Sequence, residues 1–213
     1  MQNPTILSSV VDYYESKLAS FGATPQGVDW KDEASQRLRF SQLVRALGVD
    51  LHAAPKIIDF GCGYGALVPF LREQAPHFIY TGFDASEAMV AQANSLYGSE
   101  DVRFTSAWED VPLSDFVIAS GIFNVRLETS ESAWWAYVQK TLTMIAPKAS
   151  AGFAVNFLTS YSDEDRKRPD LFYANPGIVL DWCKTHVSRW VSLLHDYELY
   201  EFTVAVLRDP VRA

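Results

Sequence analysis

The chain has 213 residues, 48% of them hydrophobic and 21% charged, the composition of an ordinary globular protein long enough to bury a core without disulfide or metal staples. Its formal net charge is -8. Clamping nucleic acid by phosphate neutralisation needs a basic balance or a basic stripe, so no nucleic-acid partner is expected. Two cysteines, Cys62 and Cys183, form neither a disulfide framework nor a metal-ligand pattern, so no metal site is expected and a reducing cytoplasm fits. Met1-Gln2-Asn3-Pro4 opens no basic-then-apolar leader, and no apolar run approaches the roughly 20 residues that span a bilayer.

In chain order, residues 1–50 read as two helices that form a lid or cap, and residues 51–213 as the ligand-binding domain. Ser8 or Ser9 can cap the first helix, which carries Val10, Val11, Tyr14 and Leu18 and stops at Gly22. A Gly/Pro loop follows. Asp32 caps the second helix, whose stripe is Leu38, Leu43, Val44 and Leu47, and Gly48 ends it. Lys56–Phe60 is then a short apolar strand before a glycine-rich turn and a helix through Leu67, Phe70 and Leu71. Phe78–Phe83 is a second strand, and Ser86 caps a helix reaching Leu96. Val102–Thr105 and Asp115–Ala119 are strands three and four. A helix over Glu131–Ala146 and a fifth strand over Ala151–Leu158 follow. Asn175-Pro176 opens a helix to about Thr185. Val187–Leu194 and Phe202–Leu207 are apolar runs joined by a short polar stretch, a β-hairpin. Strand–helix alternation of this spacing predicts an α/β fold, a doubly wound and mostly parallel sheet with helices on both faces and right-handed crossovers.

The turn after the first strand reads Asp59-Phe60-Gly61-Cys62-Gly63-Tyr64-Gly65. Glycines there let the backbone turn sharply and approach a ligand, at the carboxyl edge of the sheet where open α/β folds bind. Asp84 ends the second strand about 20 residues further on, where a carboxylate can accept both hydroxyls of a ribose. The pair points to an adenosine-containing cofactor. Gly61-x-Gly63-x-x-Ala66 also satisfies a dinucleotide fingerprint, so a nicotinamide-dependent oxidoreductase is one alternative and a catalytically inactive cofactor-binding module another. Three features favour a different cofactor: the acid Asp59, which would repel a pyrophosphate, the G-x-G-x-G spacing, and the closing hairpin in place of a second βαβαβ half.

With these features the sequence resembles the class I S-adenosylmethionine-dependent methyltransferases over roughly residues 50–208. Asp59-x-Gly61-x-Gly63-x-Gly65 matches their first motif. Phe83-Asp84-Ala85-Ser86 matches the acidic loop, Ser106-Ala107-Trp108 sits where the family contacts adenine, and Asp115 to Gly121, including Ser120, matches the fourth-strand motif. The resemblance implies S-adenosyl-L-methionine as cofactor and a Rossmann-like seven-stranded sheet with an antiparallel last strand. It also implies that Gly61 and Gly63 line the methionine part while Asp84 holds the ribose. Arg39, before the first strand, is a candidate partner for the cofactor carboxylate.

A methyl donor of this kind is already activated, so the protein mainly has to align an acceptor and exclude water. Fourth-, fifth- and sixth-strand loops supply the candidates. His195 is the candidate general base, Asn124 an acceptor ligand, and Arg126 a holder of an anionic substrate. Tyr13, Tyr14 and Trp30 are candidate lid contacts, with Tyr161 and Tyr173 as further walls. Cys62 reads as a small filler beneath the loop. Ser120-Gly121-Ile122-Phe123 stands where amino-methylating enzymes of DNA, and many of RNA, carry an Asn/Asp-Pro-Pro-aromatic tetrad. That difference and the acidic charge favour a small-molecule acceptor, with oxygen preferred to nitrogen because a base is available. Oligomeric state is not legible in the chain.

Overall fold

The computed structural model describes residues 4–208; Met1–Asn3 and residues 209–213, the ends of the two expected segments, lie outside the described residues. Its sheet comprises β1 (Lys56–Phe60), β2 (Ile79–Phe83), β3 (Val102–Thr105), β4 (Ser114–Ala119), β5 (Ala149–Thr159), β6 (Tyr173–Ala174), β7 (Val191–Leu194) and β8 (Glu201–Leu207). The order is β3-β2-β1-β4-β5-β8-β7, with β6 paired to β5 off this path. β1 to β5 pair in parallel, and β8 runs antiparallel to both β5 and β7. The mostly parallel sheet with a C-terminal hairpin is therefore as expected. The addition is β6, two residues inside a polar segment too short to show any alternation. β7 starts at Val191 rather than Val187 because Val187 closes the preceding helix, its N–H donating to the Cys183 carbonyl.

Six helices accompany the sheet: α1 (Pro4–Phe21), α2 (Glu33–Leu47), α3 (Leu67–Gln74), α4 (Glu87–Tyr97), α5 (Glu131–Ile145) and α6 (Pro176–His186). Their starts follow local chemistry. Asp32, Ser86, Ser130 and Asn175 each accept a backbone N–H from the first turn, which satisfies donors that the helix itself cannot pair. α1 begins at Pro4, ahead of the Ser8 or Ser9 expected.

Strand alternation divides the core in two. Ile58, Val117, Phe153 and Val155 pack with Trp134, Val138 and Leu142 of α5 and with Val179 and Cys183 of α6. Ile57, Ile118, Ala154 and Ala205 pack on the opposite face with Leu43 and Leu47 of α2, Val68 and Leu71 of α3, and Ala93 of α4. Burying both faces is what makes the central strands nearly continuous apolar runs. α2 is thus part of the body of the fold, and the boundary expected at residue 50 does not coincide with a break in packing. α1 and the turn after it lie apart from that face, over the carboxyl edge of the sheet.

Candidate active site

The carboxyl edge of β1, β2 and β4 opens into a cavity. Gly61, Cys62 and Gly63 form one wall, Asp84, Ala85 and Ser86 a second, and Ser120, Gly121 and Ile122 a third. Leu7, Val10, Val11 and Tyr14 of α1 cover it, with Val28 and Trp30 from the following turn.

Its floor depends on glycines in left-handed backbone. Gly61 has φ 76° and Gly121 φ 72°, a region that costs side-chain-bearing residues energy. Space forbids a side chain as well. A Cβ on Gly61 would come within 2.4 Å of the Ile122 side chain, and one on Gly121 within 2.2 Å of the Trp30 ring. The Gly61 and Cys62 N–H groups donate to the Phe83 carbonyl, at 2.7 and 3.0 Å, and so tie the loop to the end of β2. Cys62 is buried, and its Sγ lies where a Cβ on Gly82 would meet it at 2.9 Å; it fills the space under the loop as expected.

Asp84 accepts the Gly63 N–H at Oδ2, 2.8 Å, and the Ser86 N–H at Oδ1, 3.0 Å. Each oxygen keeps a further lone pair, so the carboxylate can hold two more donors toward the cavity. Burial pushes its pKa above the ordinary aspartate range, against the two backbone bonds that lower it. Asp59 is more deeply enclosed. Burial pushes it up to about 7, opposed by the Tyr80 hydroxyl that donates to it at 2.7 Å and reinforced by the charge of Asp84.

Of the expected cofactor residues, Asp59, Gly61, Gly63, Asp84, Ala85 and Ser120 line the cavity. Ser106, Ala107 and Trp108 do not; Trp108 packs edge-on against Phe60 and Phe83, at 5.1 and 5.2 Å between ring centroids, and so lies behind the wall. Arg39 does not line it either. Its Nε and Nη2 donate to Glu201, its guanidinium lies 3.8 Å from the Trp30 ring centroid, and its Nη1 is buried without a partner.

The expected catalytic residues are not brought together. His195 is exposed on the β7–β8 turn, against Tyr161 and Phe202. β7 is the outermost strand and β8 intervenes between it and β5, and His195 is not among the residues that line the cavity. Arg126 braces its own loop, donating to the carbonyls of Leu171 and Thr129. Asn124 is buried beyond the cavity: its carbonyl accepts the Phe172 N–H and its side-chain oxygen has no partner. Of the lid aromatics, Tyr14 and Trp30 face the cavity, whereas Tyr13 donates to Asp29. Tyr161 is 72% exposed, and Tyr173 accepts the Arg168 N–H.

Sequence reading missed Tyr137, Ile122, Met89, Gln36 and Phe40 as cavity walls. Helical spacing marks Tyr137 and Phe40 only as half of an apolar stripe. Glu201 and Asn156, buried polar residues within the sheet, were also missed, although a polar residue inside an apolar strand is a readable signal.

These residues fit an adenosine cofactor with a polar tail: paired open acceptors on Asp84, a floor with no Cβ, and a buried hydroxyl without a partner, Ser120 Oγ. Comparison with known proteins agrees. A family model described as a methyltransferase domain matches residues 57–148. The chain is 45% identical over 151 residues to the Mycobacterium tuberculosis protein named "Putative methyltransferase Rv1506c", covering 70% of this chain and 91% of that one. It is 27% identical over 108 residues to a malonyl-[acyl-carrier protein] O-methyltransferase of a Paenibacillus species, covering 49% of this chain and 38% of the relative. The crystal structure of magnesium protoporphyrin IX methyltransferase from Synechocystis with bound S-adenosylmethionine has the same fold. Its TM-score is 0.63 at 16% identity, over 95% of this chain and 96% of that one. A glycine floor beside a ribose-competent carboxylate, on this sheet order and with such a relative, places the chain in one family: it belongs to the class I S-adenosylmethionine-dependent methyltransferases.

Proposed function

We propose that this methyltransferase acts on a carboxylate oxygen of a small acceptor with a largely apolar body. The observation that carries this is the cavity wall beyond Asp84: Leu7, Val10, Val11, Val28, Trp30 and Ile122. Such a wall takes up an apolar body and keeps water away from it. The phenols among the walls are poor bases at neutral pH, because burial pushes Tyr14, Tyr64 and Tyr137 upward. None of the four histidines lines the cavity. Asp59 in the lining is engaged by the Tyr80 hydroxyl, and an acceptor that arrives already nucleophilic, as a carboxylate does, needs no base from the walls. The relative named for O-methylation supports oxygen as the methylated atom.

When bound, the cofactor supplies an electrophilic sulfonium methyl group. The chain supplies position. Asp84 would hold the ribose hydroxyls, Gly61 and Gly63 would admit the ligand close to the backbone, and Ala85 and Met89 would flank its adenine end. Moving across the sheet from β2 through β1 to β4, the opposite end of the ligand reaches Ser120. There Ser120 Oγ would take its carboxylate, backed by the charge of Arg39 outside the wall, which relieves a buried hydroxyl that costs roughly 1–3 kcal/mol when unpaired. α1 excludes water from the acceptor.

A panel of apolar carboxylic acids, phenols and amines, assayed by release of S-adenosylhomocysteine, tests the acceptor. Turnover of acids, with a rate nearly flat from pH 6 to 9, is the expected result. Turnover confined to phenols or amines, with a rate that climbs with pH, would overturn it.

A further inference from the structure

The sheet face that packs on α2 changes character along the strands. Ile57, Ile118, Ala154 and Ala205 are its buried apolar residues. Two residues further along, Asp59, Ser120 and Asn156 share that face at the cavity end, since side chains repeat every second residue. Glu201 joins them from β8: its Cα partner is Leu158, whereas Asn156 is paired with Thr203, so Glu201 and Asn156 are diagonal neighbours on one face.

A closed ring of contacts runs through this cluster. Asn156 Oδ1 accepts the Gly121 N–H at 2.8 Å, and Asn156 Nδ2 donates to Glu201 Oε2 at 2.5 Å. Glu201 Oε1 accepts from Arg39 Nε at 2.8 Å and also from Nη2. The Arg39 guanidinium lies over the Trp30 ring, and that ring covers the bare Cα of Gly121. Asn156 is suited to its place because it donates and accepts at once: Glu201 can only accept and the Gly121 amide can only donate. The ring leaves two buried polar atoms unused, Arg39 Nη1 and Ser120 Oγ, and of the two residues Ser120 lines the cavity.

We infer that Glu201 and Asn156 are positioning residues, which hold the Ser120–Gly121 turn so that the Ser120 hydroxyl meets the amino-acid end of the cofactor, and hold the Arg39 charge behind it. Glu201 engages two of the three guanidinium nitrogens and leaves the third free. Asn156 sets the Gly121 amide, and with it the direction of Ser120. This inference rests on the reading of Ser120, with the charge of Arg39 behind it, as the polar end of the cofactor site.

Calorimetric titration with S-adenosylhomocysteine and with 5′-methylthioadenosine tests it, since the second ligand shares the adenosine and lacks the amino-acid end. Wild type should bind S-adenosylhomocysteine the more tightly. Asn156→Ala and Glu201→Gln should each weaken S-adenosylhomocysteine about tenfold and leave 5′-methylthioadenosine within about twofold. Undiminished binding of S-adenosylhomocysteine by both variants would overturn the inference. So would parallel loss of both ligands, by unfolding or otherwise, because that is the mark of a merely structural pair. Equal affinity of wild type for the two ligands would overturn the underlying reading of Arg39 and Ser120, and is distinguishable because it needs no variant.

Discussion

Asp59 and Asp84 stand close enough to influence each other, yet they have different surroundings. Asp84 is stabilised by two backbone N–H groups, whereas Asp59 has the Tyr80 hydroxyl and little water. The Asp59 pKa is raised from 3.8 to about 7, so folded protein binds its proton more tightly than the unfolded chain does. At pH values below the ordinary one both states are protonated and nothing is lost. Between about pH 4 and 7 only the unfolded chain ionises, so stability falls as pH rises through that window and stays at the lower level above it. Thermal unfolding of ligand-free protein should show this decline, and Asp59→Asn should flatten it. An equal decline in the variant would assign it to other groups. Asp59 and Asp84 were legible from their distance to the glycines. The raised pKa of Asp59 was not, because burial is a property of the folded surroundings.

Among the elements, α1 is clasped by one aspartate in addition to the apolar contacts of Ile6 and Val10. Asp29 accepts from Tyr13 at 2.8 Å and Lys17 at 2.8 Å, both on α1, and from Arg168 at 3.4 Å on the segment after β5. It does so in left-handed backbone, φ 59°, which Asp tolerates better than most residues. Glu15 of α1 adds a bond from the Ser86 hydroxyl at 2.7 Å. Part-exposed pairs of this kind contribute only about 0.2–1 kcal/mol each, so the cover is held modestly and can open. Asp29→Ala should speed amide exchange in α1 about tenfold and leave β1, β4 and β5 unchanged. Unaltered exchange in α1 would mean that its apolar contacts alone secure it. The helix itself was legible from the spacing of Val10, Val11 and Tyr14; its clasp was not, since Asp29 and Arg168 are 139 residues apart.

For the molecule as a whole, one ligand should report on the entire fold, because the cavity joins α1, α2, three strand ends and α5. S-adenosylhomocysteine at about one hundred times its dissociation constant should raise the melting temperature by roughly 5–10 °C, and NAD should leave it unchanged. A shift with NAD alone would contradict the cofactor assignment.

The alternation of strands and helices, the closing hairpin, the glycine floor and its acidic partner were all legible along the chain. Each of these rests on local periodicity or on short spacings along the chain, and local patterns survive without knowledge of the fold. His195, Asn124 and Arg126 were chosen for nearness to a strand end, which does not say how far that strand lies from the cavity, and the structure places all three outside its walls. Folding in three dimensions sets β8 between His195 and β5, brings α2 into the core, and joins Arg39 to Glu201 across 162 residues of chain. Contacts of that separation are set by how the layers pack.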